Sequence, residues 1–152
     1  MVTDKKWTLA EIANKRQYYK NHPYEFMIEM LGINIPYHQK KMLEAIVKYN
    51  KVSIKSSNGT GKSFLFSALA IWFFYCYLED DTRNTIVLFT APTFQQCREN
   101  IYNPILAHID RANEILRKKT GLKDITLFGK ISENKNLAEI KMNKTKLIVP
   151  SG

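Results

Sequence analysis

Two cysteines, six glycines, five prolines and three histidines in 152 residues leave little material for a disulfide framework, a glycine-rich linker or a histidine metal centre. Cys76 lies in an apolar run and Cys97 in a mixed one, at a separation with neither metal nor redox spacing. Both therefore read as small packing residues, and a reducing compartment is expected. His22, His38 and His108 stand far apart and suggest no ligand cluster. The N-terminus, MVTDKKWTLAEIANKR, lacks the apolar core of an export signal. The most apolar stretch, residues 64 to 78, is short for a membrane span and is interrupted by Ser67, so a buried helix is expected there and no membrane partner.

Acidic residues are scarce as well. Fourteen stand against 23 Lys and Arg, for a net charge of +9, which favours a polyanionic partner or a lysine-rich solvated surface. The excess is uneven: residues 117 to 146 hold nine basic side chains, from Arg117 to Lys146, against Asp124, Glu133 and Glu139. A nucleic-acid-facing edge has this composition, and so does a solvated loop. With 45% hydrophobic residues the chain can bury one core, so residues 1–152 are expected to form a single domain or a portion of one.

Along the chain, Thr8 is a plausible N-cap for an amphipathic helix over residues 8 to 20, with Leu9, Ile12 and Ala13 at helical spacing. A second helix follows Pro23 and stops at Gly32, with Phe26, Met27, Met30 and Leu31 inward. Residues 37 to 49 place Met42, Leu43, Ile46 and Val47 on one stripe, with Lys40, Lys41 and Lys48 outside it. VSIK, residues 52–55, reads as a first strand. A helix from Lys62 to Leu78 is apolar nearly all round, and Glu79, Asp80 and Asp81 end it. NTIVLFTA, residues 84–91, has the continuous β-branched character of an interior parallel strand. A long helix from Thr93 to Lys119 is expected to kink or split at Pro104. Residues 137–142 and 145–149, around Asn143 and Lys144, suggest a hairpin.

The chemistry concentrates at SSNGTGKS, made of Ser56, Ser57, Asn58, Gly59, Thr60, Gly61, Lys62 and Ser63. This matches the phosphate-binding P-loop at its Gly-Lys-Ser end, although Ser56 stands where the first glycine usually falls. Gly59 and Gly61 permit the dihedral angles that let successive backbone N–H groups wrap around phosphate oxygens. The helix beginning near Lys62 adds the positive end of its dipole. Lys62 would bring its charge to the β- and γ-phosphates of ATP as the catalytic cation, and Ser63 a hydroxyl ligand to Mg²⁺. The alternative is a glycine-containing strand-to-helix turn with an incidental Lys-Ser pair.

Three stretches resemble the large terminase subunit of tailed phages. YEFMIEMLGINIPYHQKKMLEAI is similar to that family's lead-in, VSIKSSNGTGKSFLFSALAIWFF to its P-loop strand and helix, and NTIVLFTAPTFQQCRENIY to its second strand with a TAPT-like end, which helicases share. The resemblance covers residues 20 to 150. It implies an α/β P-loop NTPase fold of the RecA-like ASCE type, a parallel sheet flanked by helices and incomplete on its C-terminal side. Residues 1–50 would form a helical lead-in and residues 51–152 the P-loop core. It makes Gln39 the adenine reader, since a carboxamide can bond both N6 and N7. Tyr37 would stack on the base or pack against the sheet, with packing favoured; Lys55 would stand near the family's activating basic residue, the alternative being a snorkelling strand-end lysine, which is favoured. The implied activity is ATP hydrolysis driving double-stranded DNA into capsids, with the terminase small subunit and portal as partners, a homo-oligomeric motor, and the host cytoplasm as location. A helicase-like DNA-dependent ATPase, or a non-catalytic remnant that binds nucleotide or a partner, is the alternative.

Hydrolysis also needs an acidic pair after an apolar strand. No such pair is recognisable, and the acids of FFYCYLEDD read as a helix end. Ending at KLIVPSG, the chain resembles a truncated motor without a nuclease domain, expected to expose apolar faces and open sheet edges and to be marginally stable or self-associating.

Overall fold

A computed structural model describes residues 6–55, 61–77 and 87–128, and the backbone of residues 131–134, 139–142 and 145–148. Its elements run α1 (Leu9–Tyr19), α2 (Pro23–Glu29), α3 (Tyr37–Lys48), α4 (Lys62–Tyr77), the single turn α5 (Phe94–Cys97), a π-turn (Arg98–Tyr102) and α6 (Asn103–Thr120). Three short strands follow, β1 (Ile131–Asn134), β2 (Glu139–Met142) and β3 (Thr145–Ile148).

Local chemistry accounts for the helix ends. Thr8 and Glu11 form a capping box: the Glu11 N–H donates to Thr8 Oγ1 at 3.2 Å, and the Thr8 N–H to Glu11 Oε2 at 2.8 Å. Pro23 opens α2 and Pro36 precedes α3, positions where a missing N–H costs nothing. At its far end α6 stops at Gly121, whose φ of 75° lets its N–H reach the Arg117 carbonyl at 2.8 Å. The expected long helix is divided as Pro104 requires. Proline has no N–H to give the carbonyl four residues back, and its ring crowds that carbonyl. The chain therefore widens into the π-turn just before it, with the Asn103 N–H donating to the Arg98 carbonyl.

Helix α4 is the centre of the molecule. Ten of its sixteen residues are buried, from Leu65 to Cys76, and α1, α2 and α6 lie against it. Phe26, Met27, Met30 and Leu31 of the second helical segment are fully enclosed, as their spacing predicts. On α1 the expected inward residues fare worse. Leu9 and Ala13 face solvent and Ile12 is half-buried, while Tyr19 carries the contact with the core. Tyr19 meets Phe26 edge-on at 5.5 Å, Phe26 stacks on Tyr75 at 5.4 Å, and Tyr75 meets Phe128 edge-on at 6.2 Å.

Polar bonds fix this aromatic chain. Trp72 Nε1 donates to the Tyr19 carbonyl at 2.7 Å, and the Tyr19 hydroxyl donates to Glu29 Oε2 at 2.6 Å. Lys15 Nζ donates to the same carboxylate oxygen at 2.7 Å. Burial by itself would raise the Glu29 pKa, but the hydrogen bonds from Lys15 and Tyr19 outweigh it and hold the carboxyl below its ordinary value. Burial pushes the Cys76 thiol up to about 12, so this sulfur packs rather than reacts.

Among the described residues the expected parallel α/β sheet is not present. The described part is predominantly helical, and its strand backbones pair only antiparallel, in the order β1-β2-β3, with Glu139 opposite Ile148 in the β2–β3 pair. Residues 52–55 form no strand, nor do residues 87–91 of the expected second strand, whose residues 84–86 lie outside the described part. A strand exists only through lateral hydrogen bonds, and among the described residues neither segment has a partner strand. The apolar run that suggested a strand serves burial instead. Val87 and Phe89 pack onto the core as a cover over α4, while Leu88 is 72% exposed. Beside this cover an apolar groove of about 370 Å³ runs between Ile46 of α3 and Phe66, Leu69 and Phe73 of α4.

The Trp72 bond joins the end of α1 to α4 across the core. Replacing Trp72 by Phe keeps most of the ring and removes the donor, so unfolding by urea is expected at a stability lower by about 1 kcal/mol with an unchanged slope. A larger slope change would mean that the helices no longer dock.

Candidate functional site

The site begins at Gly61. Its φ of 76° is left-handed, a conformation open to glycine, and its carbonyl accepts the Leu65 N–H at 3.0 Å, so α4 starts immediately after it. The N–H groups of the first turn of any helix have no intrahelical acceptor and lie at the positive end of the dipole. Here that turn carries Lys62, half-buried, and Ser63, exposed. Residues Ser56, Ser57, Asn58, Gly59 and Thr60 lie outside the described residues.

Gln39 reaches this corner from α3. Its backbone N–H donates to the Pro36 carbonyl at 2.9 Å, which anchors it in the first turn of that helix, and its side chain is only 6% exposed. A Cβ placed on Gly61 would stand 3.2 Å from Gln39 Nε2. The backbone thus passes so close to the carboxamide that residue 61 has no room for a side chain unless Gln39 yields. Two segments twenty-two residues apart in sequence, each singled out for nucleotide contact, are in contact here.

Tyr37 differs from expectation. It packs on nothing in the core: its ring is 74% exposed, and Lys41 Nζ lies 5.3 Å from its centroid. Lys55 is exposed, but on an irregular segment rather than a strand end.

One residue beneath the site was not singled out from sequence. His108 of α6 is 3% exposed, meets Phe64 edge-on at 4.6 Å, and hydrogen-bonds to the Phe64 backbone. Its Nε2 is buried with no hydrogen-bond partner among the described residues. Ser67 Oγ also donates to the Phe64 carbonyl, at 2.7 Å. The first turn of α4 is therefore braced from below by α6. The only available signal was position: His108 shares the inward stripe of Ile105, Ile109, Ala112 and Leu116, which marks it as buried.

Among the described residues no group of His, Cys, Asp and Glu could hold a metal ion, and no helix is long and apolar enough to cross a membrane. No family model, curated protein or solved structure matches the chain.

Burial lowers the His108 pKa below its ordinary 6.5 by disfavouring the charged ring, with Arg111 adding like-charge repulsion, while the hydrogen bond to Phe64 works the other way. The unfolded chain therefore takes up this proton at higher pH than the folded one. Its contribution to stability is complete above about pH 6.5 and declines as the pH falls below that value. Melting curves at pH 7.5 and 5.5 should show a loss of stability in the native chain that is smaller in His108→Leu. Equal losses in the two proteins would contradict this placement of the ring.

Proposed function

We propose that this chain binds Mg-ATP at the start of α4 and is the ATP-binding part of a terminase-type motor that packages double-stranded DNA. The observation that carries the reading is the approach of Gln39 Nε2 to Gly61 at the head of the helix that bears Lys62 and Ser63. The sequence SSNGTGKS supplies the residue types for phosphate, and the lead-in supplies a carboxamide beside them.

In this reading the N–H groups of the first turn of α4 donate to phosphate oxygens, and the dipole of its sixteen residues adds favourable charge. Lys62 contributes its ammonium charge to the outer phosphates. The exposed Ser63 hydroxyl would be the protein's ligand to Mg²⁺, which offsets phosphate charge when bound. Gln39 carries one donor group and one acceptor on a planar amide, the pattern that complements the N7 and N6 edge of adenine. The overall +9 charge favours approach of both nucleotide and DNA.

A second reading, nucleotide binding without turnover, is favoured by the lack of a parallel sheet among the described residues. In P-loop enzymes a neighbouring strand carries the carboxylates that hold Mg²⁺ and orient water. Binding and hydrolysis are therefore separate measurements.

Titration calorimetry with Mg-ATP tests the site. Lys62→Ala removes a charge-assisted interaction of about 1.5–3 kcal/mol, which is about ten- to a hundredfold in affinity. Gln39→Leu should weaken ATP while leaving inorganic triphosphate unaffected. ATP affinity unchanged in Lys62→Ala would overturn the site, and DNA-stimulated phosphate release would select the motor over the non-catalytic reading.

A further inference from the structure

Helix α3 turns a second set of side chains outward. Tyr37, Lys41, Glu44 and Lys48 are all exposed and fall at intervals of four, three and four residues, which places them on one stripe. Tyr49 follows directly as the C-cap. Each tyrosine carries an ammonium group at its face: Lys41 Nζ is 5.3 Å from the Tyr37 centroid, and Lys48 Nζ is 5.2 Å from that of Tyr49. On the flank Lys40 Nζ stands 4.6 Å over Tyr24. Lys51 and Lys55, both exposed, continue the run. Residues 37–55 thus hold five lysines against the single carboxylate of Glu44.

Two large rings exposed by 74% and 55% are unusual to leave in water beside so much like charge. The charge complements a polyanion, and the rings add something that phosphate alone does not need. We propose that this stripe binds single-stranded nucleic acid, with bases stacking on Tyr37 and Tyr49 and phosphates meeting Lys41 and Lys48. Seven residues of helix separate the two lysines, about 10 Å along the axis, so successive contacts fall at the two ends of the stripe. Glu44 lies between them and repels phosphate there. A flexible single strand can bow past that point, whereas a duplex keeps its bases stacked inside and offers the tyrosines no ring face. Stacking on aromatic side chains beside a basic track is the usual device for sequence-tolerant single-strand binding. Binding to this stripe is measured without any nucleotide, so it can fail or hold independently of the site at the start of α4.

Fluorescence anisotropy with a labelled oligothymidine of about 12 nucleotides tests the proposal across a range of salt. Tyr37→Ala and Tyr49→Ala should each weaken binding about tenfold with the salt slope retained. The pair Lys41→Ala and Lys48→Ala should reduce the slope of log affinity against log salt by about 1.4, since each single-strand phosphate contact contributes about 0.7. Oligouridine of equal length should bind within about threefold, because neither ring nor ammonium reads the 2′-hydroxyl. All four side chains are exposed, so the helical circular dichroism of the variants should match the native chain. Tyrosine variants that bind the single strand like the native chain would overturn it.

Discussion

Helix α4 is apolar around its whole circumference, and α1, α2 and α6 are placed by the need to cover it. A helix of that kind cannot lie at a surface, because each of its faces loses contact energy in water. Fully burying side chains such as Leu65, Ile71 and Phe74 contributes about 1.5–3 kcal/mol each. Helices α1, α2 and α6 cover three sides, and residues 87–89 close part of the fourth. The polar bonds then decide how the covering elements sit. The indole of Trp72 takes the end carbonyl of α1, and Glu29 gathers Lys15 and the Tyr19 hydroxyl onto one oxygen.

The same constraint produces the candidate site. A buried helix needs a sharp entry, and Gly61 supplies it with a left-handed residue whose missing side chain admits Gln39. The entry leaves the first-turn amides, Lys62 and Ser63 at the boundary between core and solvent. His108 braces that turn from the core side through Phe64. Support beneath and first-turn amides without an intrahelical acceptor above suit an anion site, and here both come from the way α4 is inserted.

Much of this was legible because it is local. The N-cap at Thr8, the inward residues of the second helix, the extent of α4 and the break at Pro104 follow from residues within a few positions of one another. The antiparallel pairing of β2 with β3 matches the expected hairpin, but the two parallel strands were misread for the opposite reason. VSIK and VLFT have the composition of strands, but pairing is decided by distant partners, and an apolar run reports burial without naming the geometry that achieves it. Tyr37 misled similarly: packing was favoured for it, yet its ring is 74% exposed. The proximity of Gln39 to Gly61 was implied by resemblance alone, since no periodicity connects the two segments. His108 was visible only as one more member of a buried stripe.

The central claim is that the start of α4, together with Gln39, receives the phosphates and base of ATP. Amide-resolved NMR during titration with Mg-ATP tests it most directly. The account predicts that the largest shifts fall on the backbone amides of Gly61, Lys62 and Ser63 and on the Gln39 side-chain amide, while amides near the far end of α6 stay unmoved. Shifts confined to the exposed lysines, with Gly61 and Gln39 unchanged, would contradict it and reduce ATP to a counterion of a basic surface.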